Sequence, residues 1–175
     1  MFTLLSDTYN VQTKRALLQD SLTFKVGDVV IPVSGATTDN IITNTSATVG
    51  DVYNLGVLIG FSKVNGEVIS QGQDPLYTPN QLTTGATNVS AIHYYGVYIP
   101  IHEEQEWLAD LDAVSGTTSG SNLPYCWFNL ADARTIDESS IVAAGGTKGQ
   151  FLSLGVSPES TSKIIGKFGK YLLGQ

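Results

Sequence analysis

The sequence predicts a mainly β protein, a small β-barrel or sandwich with one short helix and long loops. Three observations carry this reading. Apolar residues recur in short runs that alternate or are apolar on both faces; Gly, Asn, Asp and Ser cluster between the runs; and only 14% of the 175 residues are charged against 42% hydrophobic. Soluble domains usually carry about 25% charged residues, so Ser, Thr, Asn and Gly fill this surface, as suits strands packed against neighbours. The length accommodates one well-buried core with an arm or an insertion.

Residues 1–23 read as an N-terminal arm. Lys14, Arg15, Ala16, Leu17, Leu18 and Gln19 are good helix formers in a segment too short to be a secure helix, so a helical turn or an extended arm fits. Residues 24–175 read as a single β-rich domain, with 73–121 a loop and helix insertion. After the Gly27-Asp28 bend a strand runs to Pro32, which ends its ladder or places it at an edge. Ile41–Thr48 reads as an exposed strand and Val52–Phe61, apolar on both faces, as a central one. Asn65-Gly66 predicts a hairpin with a type I′ turn, which needs positive φ at both residues. Val26-Gly27-Asp28-Val29 and Val49-Gly50-Asp51-Val52 form a short echo, too little to define a repeat.

Residues 70–90 read as one long polar loop, of a length that tends to be functional or contact-making. Ala91–Ile101 returns to strand. Glu103–Ala113 is the helix, with Trp107, Leu108 and Leu111 three to four apart and acids toward its N-terminus. Ser115–Ser121 is a flexible link. Beyond it, strands are expected at Tyr125–Leu130, Ile141–Ala143 and Gln150–Val156, with a turn at Asp137-Glu138 and a bend at Gly145-Gly146. Ile164–Leu173, punctuated by Gly166 and Gly169, reads as a bent or barrel-closing strand.

Charge and composition narrow the function. The net charge of −7 argues against a nucleic-acid partner, which calls for a basic footprint. No apolar run approaches the ~20 residues of a membrane helix, and the N-terminus lacks the basic region and apolar core of a secretory signal. Between Val64 and Ala133 there are eight acids and no Lys or Arg, whereas from Arg134 onward five bases face three acids. An acidic middle and a mildly basic tail complement each other between copies or against another protein.

The motifs of chemistry are incomplete. His102-Glu103-Glu104-Gln105-Glu106 has Glu where a zinc helix needs its second His. No EF-hand spacing occurs, and no Gly-x-Ser-x-Gly elbow. Gly145–Gly149 lacks the Gly-Lys-Ser/Thr order of a phosphate loop. The lone Cys126, in an aromatic run, reads as a buried apolar residue. No base, nucleophile and oxyanion donor come together, so no enzyme activity, metal or cofactor is expected. Tyr94, Tyr95, Tyr98, Trp107 and Trp127 remain as candidate interface residues, since aromatics are enriched as anchors between subunits. Because Tyr94 and Tyr95 point to opposite faces of a strand, they cannot share one sugar-stacking platform.

Val26-Gly27-Asp28-Val29-Val30, then Asn54-Leu55-Gly56-Val57-Leu58-Ile59-Gly60, then Asn65-Gly66-Glu67-Val68 resembles the small β-barrel capsid decoration (cement) proteins of tailed bacteriophages. The resemblance spans residues 24–72. It implies a virion structural protein made in the host cytoplasm and bound to the outside of the capsid. Its partners would be the major capsid protein and further copies of itself, most often in a trimer. A carbohydrate-binding β module of a fibre or adhesin is the alternative.

Overall fold

The computed structural model describes residues 1–7, 11–33, 41–44, 56–69, 77–78, 80–102, 104–113, 124–142 and 149–169. The Val49–Val52 half of the sequence echo, the Ser115–Ser121 link and the Gly145-Gly146 bend lie outside these residues. The described strands are β1 (Phe2–Ser6), β2 (Lys14–Leu18), β3 (Thr23–Lys25), β4 (Val29–Pro32), β5 (Ile41–Thr43), β6 (Gly56–Ser62), β7 (Tyr77–Thr78), β8 (Gln81–Thr83), β9 (Tyr95–Pro100), β10 (Glu106–Leu111), β11 (Trp127–Leu130), β12 (Thr135–Val142), β13 (Phe151–Ser157) and β14 (Ser160–Phe168). The protein is mainly β, as its sequence predicts.

Five strands close a barrel in the order β2-β5-β4-β6-β9. A six-stranded sheet, β1-β10-β12-β11-β13-β14, gains an additional β10–β14 pairing, so five of its strands close a second ring. The two rings share one wiring. β2 lies parallel to β5 as β10 lies parallel to β12, and every other pairing in either ring is antiparallel. Their registers coincide as well. Leu18↔Ile42 matches Leu111↔Ile136, Pro32↔Ile42 matches Leu130↔Ile136, and Val29↔Val57 matches Trp127↔Leu152. On the remaining strands Leu58↔Tyr98 matches Ser153↔Gly166, and Ala16↔Gly96 matches Ala109↔Ile164.

The wall β4-β6-β9 is apolar on both faces because it serves two cores. Val30, Leu58 and Tyr98 point into the first ring, where they meet Ala16, Leu18 and Ile42. Their neighbours Val29, Val57 and Ile99 point outward and join the core of the second ring with Trp107, Phe128, Phe151 and Phe168. Period-two alternation along a strand makes this sharing possible. A three-stranded sheet, β3-β8-β7, supplies the fully buried Phe24 and Leu82 to the first ring. Phe2 of β1 enters the second core, its ring centroid 5.1 Å from that of Phe168 and 5.9 Å from that of Phe151.

Several expectations change. Residues 104–113 are not helical: β10 alternates in burial, with Trp107, Ala109 and Leu111 inward. Trp107 and Leu111 fit either period, and pairing on both edges, with β1 on one side and β14 on the other, satisfies the backbone as a strand. Residues 1–23, expected as an arm, supply β1 and the barrel strand β2. The 73–121 segment, expected as an insertion, contributes β9 to the barrel and β10 to the second ring. The polar loop at 70–90 contains β7, β8 and the start of a single π-helical turn, Asn88–Ile92. Its Asn88, 0% exposed, donates its amide to the Leu18 and Tyr94 carbonyls and accepts from the Tyr94 N–H, holding the turn to the barrel. Asp137 and Glu138 lie within β12, which pairs with β11 across a register shift.

The hairpin after β6 forms, with a different turn. Gly66 takes φ 84°, while Asn65 is not among the positive-φ residues. The Gly66 N–H donates to the Lys63 carbonyl and the Lys63 N–H to the Glu67 carbonyl. This is the three-residue loop closed by a left-handed Gly, in place of a two-residue I′ turn.

Phe2 is 3% exposed and ties β1 into the second core. Phe2→Ala should lower unfolding free energy by about 3–5 kcal/mol, the range of a buried Phe truncation. Urea denaturation checks this; a loss under about 1 kcal/mol would mean that Phe2 is not a core residue.

Candidate functional site

The five aromatic residues expected at an interface do not form one surface. Tyr98 and Trp107 are 4% and 1% exposed and belong to separate cores. Trp107 packs edge-on to Phe168 at 5.8 Å between centroids. Burial raises the Tyr98 phenol pKa above its ordinary value, which keeps it neutral. Tyr94 packs against the first core. Tyr95 is half-buried and faces outward, where the Arg15 guanidinium lies 4.5 Å from its ring centroid, a cation–π contact. Trp127 is half-buried on the outer wall of the second ring, against the backbones of Gly149 and Gly169, where a Cβ would collide with its side chain.

Beside Trp127 stands Tyr125, 66% exposed and in the left-handed region at φ 64°. Tyr125, Cys126 and Trp127 turn the corner into β11 as Gly27, Asp28 and Val29 turn the corner into β4. Gly27 also has positive φ, 88°. Each corner is held by the same pair of bonds. The Gly27 N–H donates to the Leu58 carbonyl and the Leu58 N–H to the Asp28 carbonyl, while the Tyr125 N–H donates to the Ser153 carbonyl and the Ser153 N–H to the Cys126 carbonyl.

The first of these corners forms the joint between the rings. The Val29 N–H donates to the Ala133 carbonyl at 2.7 Å. The Asp28 carboxylate is buried and accepts from Arg134 Nη1 at 2.5 Å, from Asn44 Nδ2 at 2.7 Å and from the Lys25 N–H at 2.8 Å. Arg134 Nη1 also donates to the Val26 carbonyl at 3.2 Å. An open groove of about 350 Å³ runs past these residues, bordered by Thr23, Lys25 and Asp132. Of its charged groups, Asp28 and Arg134 hold the joint, and the Asp132 carboxylate accepts from the Arg134 and Thr135 N–H groups.

The acidic middle and basic tail meet partly within the chain. Asp110 is bound by the Met1 ammonium at 2.8 Å and by Lys163 at 3.2 Å. Burial pushes the Asp110 pKa up, but the hydrogen bonds and charges of Met1 and Lys163 outweigh it and hold the carboxyl below its ordinary value. Of the two histidines, His102 Nε2 lies 3.2 Å from Asp7 Oδ2, which also accepts from Gln105 Nε2 at 3.1 Å. His93 caps the π-helical turn in a left-handed conformation. Among the described residues no group of three His, Cys, Asp or Glu side chains is placed to hold a metal.

Compared with known protein families, characterised proteins and solved structures, the chain matches none. The Asp28–Arg134 joint leaves no signal in the sequence, since the partners lie far apart in the chain and neither stands in a recognisable motif. Tyr125 is one of the aromatics that could serve as anchors by sequence, but nothing local marks it as the exposed one.

Two outcomes follow from these contacts. Arg134→Ala leaves the Asp28 carboxylate buried without its cation, and should cost about 2–4 kcal/mol in urea unfolding, while a surface-like effect under about 0.5 kcal/mol would rule the joint out. For Asp110, whose folded pKa is depressed, the stabilisation is present above its unfolded value and is lost as pH falls through the folded one. The stability difference between wild type and Asp110→Asn should therefore shrink below about pH 4, as read by denaturation across an acid series; a difference that does not change with pH would contradict it.

Proposed function

We propose that this chain is a non-enzymatic virion structural protein that decorates and reinforces the outside of a tailed-phage capsid. It would bind the major capsid protein and associate with copies of itself, as a trimer. The residues that carry the resemblance to capsid decoration proteins fall on the Gly27-Asp28 corner, β4, β6 and the Gly66 hairpin, and so on two of the five strands of the first barrel.

The observation that carries the proposal is the corner at Tyr125 and Trp127. Its counterpart in the first ring, Gly27 to Val29, already serves as a docking corner against another barrel. On the second ring the same position bears two aromatics, one of them 66% exposed. Aromatic anchors of this kind dominate binding energy at protein interfaces, and decoration requires an interface above ~1,000 Å².

Purified protein mixed with assembled capsids tests the reading by co-sedimentation, and sedimentation of the free protein gives its oligomeric mass. Wild type should sediment with capsids, and Tyr125→Ala should bind at least about tenfold more weakly, a loss near 1.4 kcal/mol. Being exposed, Tyr125 should tolerate the change without loss of stability. No co-sedimentation of the wild type would sink the proposal, and glycan-array binding lost on Tyr125→Ala would favour a carbohydrate-binding module.

A further inference from the structure

We infer that the chain is a tandem duplication, one five-stranded unit copied end to end, with residues 63–94 inserted into the first copy between its last two strands. The inference stands independently of the function proposed above.

The shared wiring and register admit a one-to-one correspondence, and hydrogen bonds outside the strand ladders obey it. The Gln19 N–H donates to the Ile42 carbonyl as the Asp112 N–H donates to the Ile136 carbonyl, at 3.0 and 2.9 Å. The Val33 N–H donates to the Ile41 carbonyl as the Ala131 N–H donates to the Thr135 carbonyl, at 2.9 and 3.0 Å. The corner bonds of Gly27 and Tyr125 obey it too. Even an irregularity is shared: β6 is bulged between Leu58 and Gly60, and β13 between Ser153 and Gly155. Bulges tend to be retained among related proteins, because removing one shifts every later side chain to the other face.

The two interiors are filled by exchanged sizes at corresponding positions. In the first ring Gly56 leaves room for the Tyr98 ring and the Ile99 carbonyl, both of which a Cβ at Gly56 would strike. In the second ring the aromatic and the glycine have changed strands: Phe151 stands where Gly56 does, and Gly166, where Tyr98 does, leaves room for the Phe151 ring and the Leu152 carbonyl. A second exchange accompanies it. Leu58 fills the space beside Gly96, and the corresponding pair is Ser153 and Ile164. Ala16 and Ala109, Leu18 and Leu111, and Ile42 and Ile136 are unchanged in type and buried in both rings. Two copies of one packing problem, solved by opposite placements of large and small residues, account for all of these together.

The second copy has a tight β13–β14 hairpin, Ser157↔Ser160, where the first carries the Gly66 turn, β7, β8 and the π-helical turn. The copies also diverge on their outer walls. Val29, Val57 and Ile99 of the first correspond to Trp127, Leu152 and Lys167 of the second. The first set is buried against the second ring, whereas the second set is half-buried and includes a charge.

The test transplants the packing of one copy into the other in the full-length chain. Leu58→Ser and Gly96→Ile are made singly and together, since a side chain at Gly96 meets only side-chain atoms, those of Leu58, Leu18 and Ile42, and urea midpoints are read. Each single change should lower the midpoint or abolish folding, and the double variant should recover more than half of the summed loss, or fold where its singles do not. A double variant no better than its singles would show the correspondence to be wrong. An experimental structure gives a second readout, and two rings that do not superpose strand for strand in this register would overturn the inference.

Discussion

The structure depends on one wall, β4-β6-β9, which is shared by two hydrophobic cores. A strand buried on both faces can hold neither charge nor a long polar side chain without a partner. Its inward and outward residues must also alternate without error, since a one-residue slip exchanges the two sets. Val29-Val30, Val57-Leu58 and Tyr98-Ile99 meet that demand, each pair sending one side chain to each core. Each aliphatic side chain buried in this way contributes about 1.5–3 kcal/mol, so the joint between the rings is as hydrophobic as the interior of either. The rings are therefore bound as parts of one folded unit. This differs from the polar contact expected between domains that move independently.

The apolar wall supplies attraction but little direction, and the polar joint beside it supplies direction. A buried ion pair such as Asp28–Arg134 roughly breaks even against an apolar replacement, because desolvation offsets the Coulombic gain. Its consequence here is geometric. Asp28 has accepting capacity for Arg134, Asn44 and the Lys25 N–H only when β3, the β4 corner, Asn44 and the turn before β12 meet in one orientation. The Val29–Ala133 bond adds a second point of registry, and together they hold the angle at which one ring rests on the other.

Much of this was legible in the sequence where the signal is local. Val52–Phe61 reads as a two-faced central strand, and its described part, from Gly56 on, lies in β6, which is one. The glycines of Ile164–Leu173 read as belonging to a bent strand, and β14 covers that ground as far as Phe168. The reading failed where two periods share the same residues. Trp107 and Leu111 fit a helix face as well as a strand face, and the small Ala109 that decides for the strand carries a weak hydrophobic signal. Lys14–Leu18 reads either as a helical turn or as an extended arm, and it is extended, a barrel strand, because β5 and β9 satisfy its backbone and tertiary context outweighs helix propensity over so few residues. Among the candidate interface residues, only burial separates Trp107, in a core, from Trp127, on a wall.

The correspondence between the two rings was illegible for a physical reason. Sequence comparison rewards identical residues at corresponding positions, whereas a core is constrained by summed volume, which different residues can satisfy. Gly56 with Tyr98 and Phe151 with Gly166 place equivalent bulk between the same strands while sharing no residue at either position. Type also survives around the shared bulge. Leu58-Ile59-Gly60-Phe61-Ser62 and Ser153-Leu154-Gly155-Val156-Ser157 keep an apolar residue at the bulge, then Gly, an apolar residue and Ser. The other half of the Val26–Val29 echo, residues 49–52, lies outside the described residues. Backbone geometry, set by hydrogen-bond register, therefore preserves the relation that side-chain identity has lost.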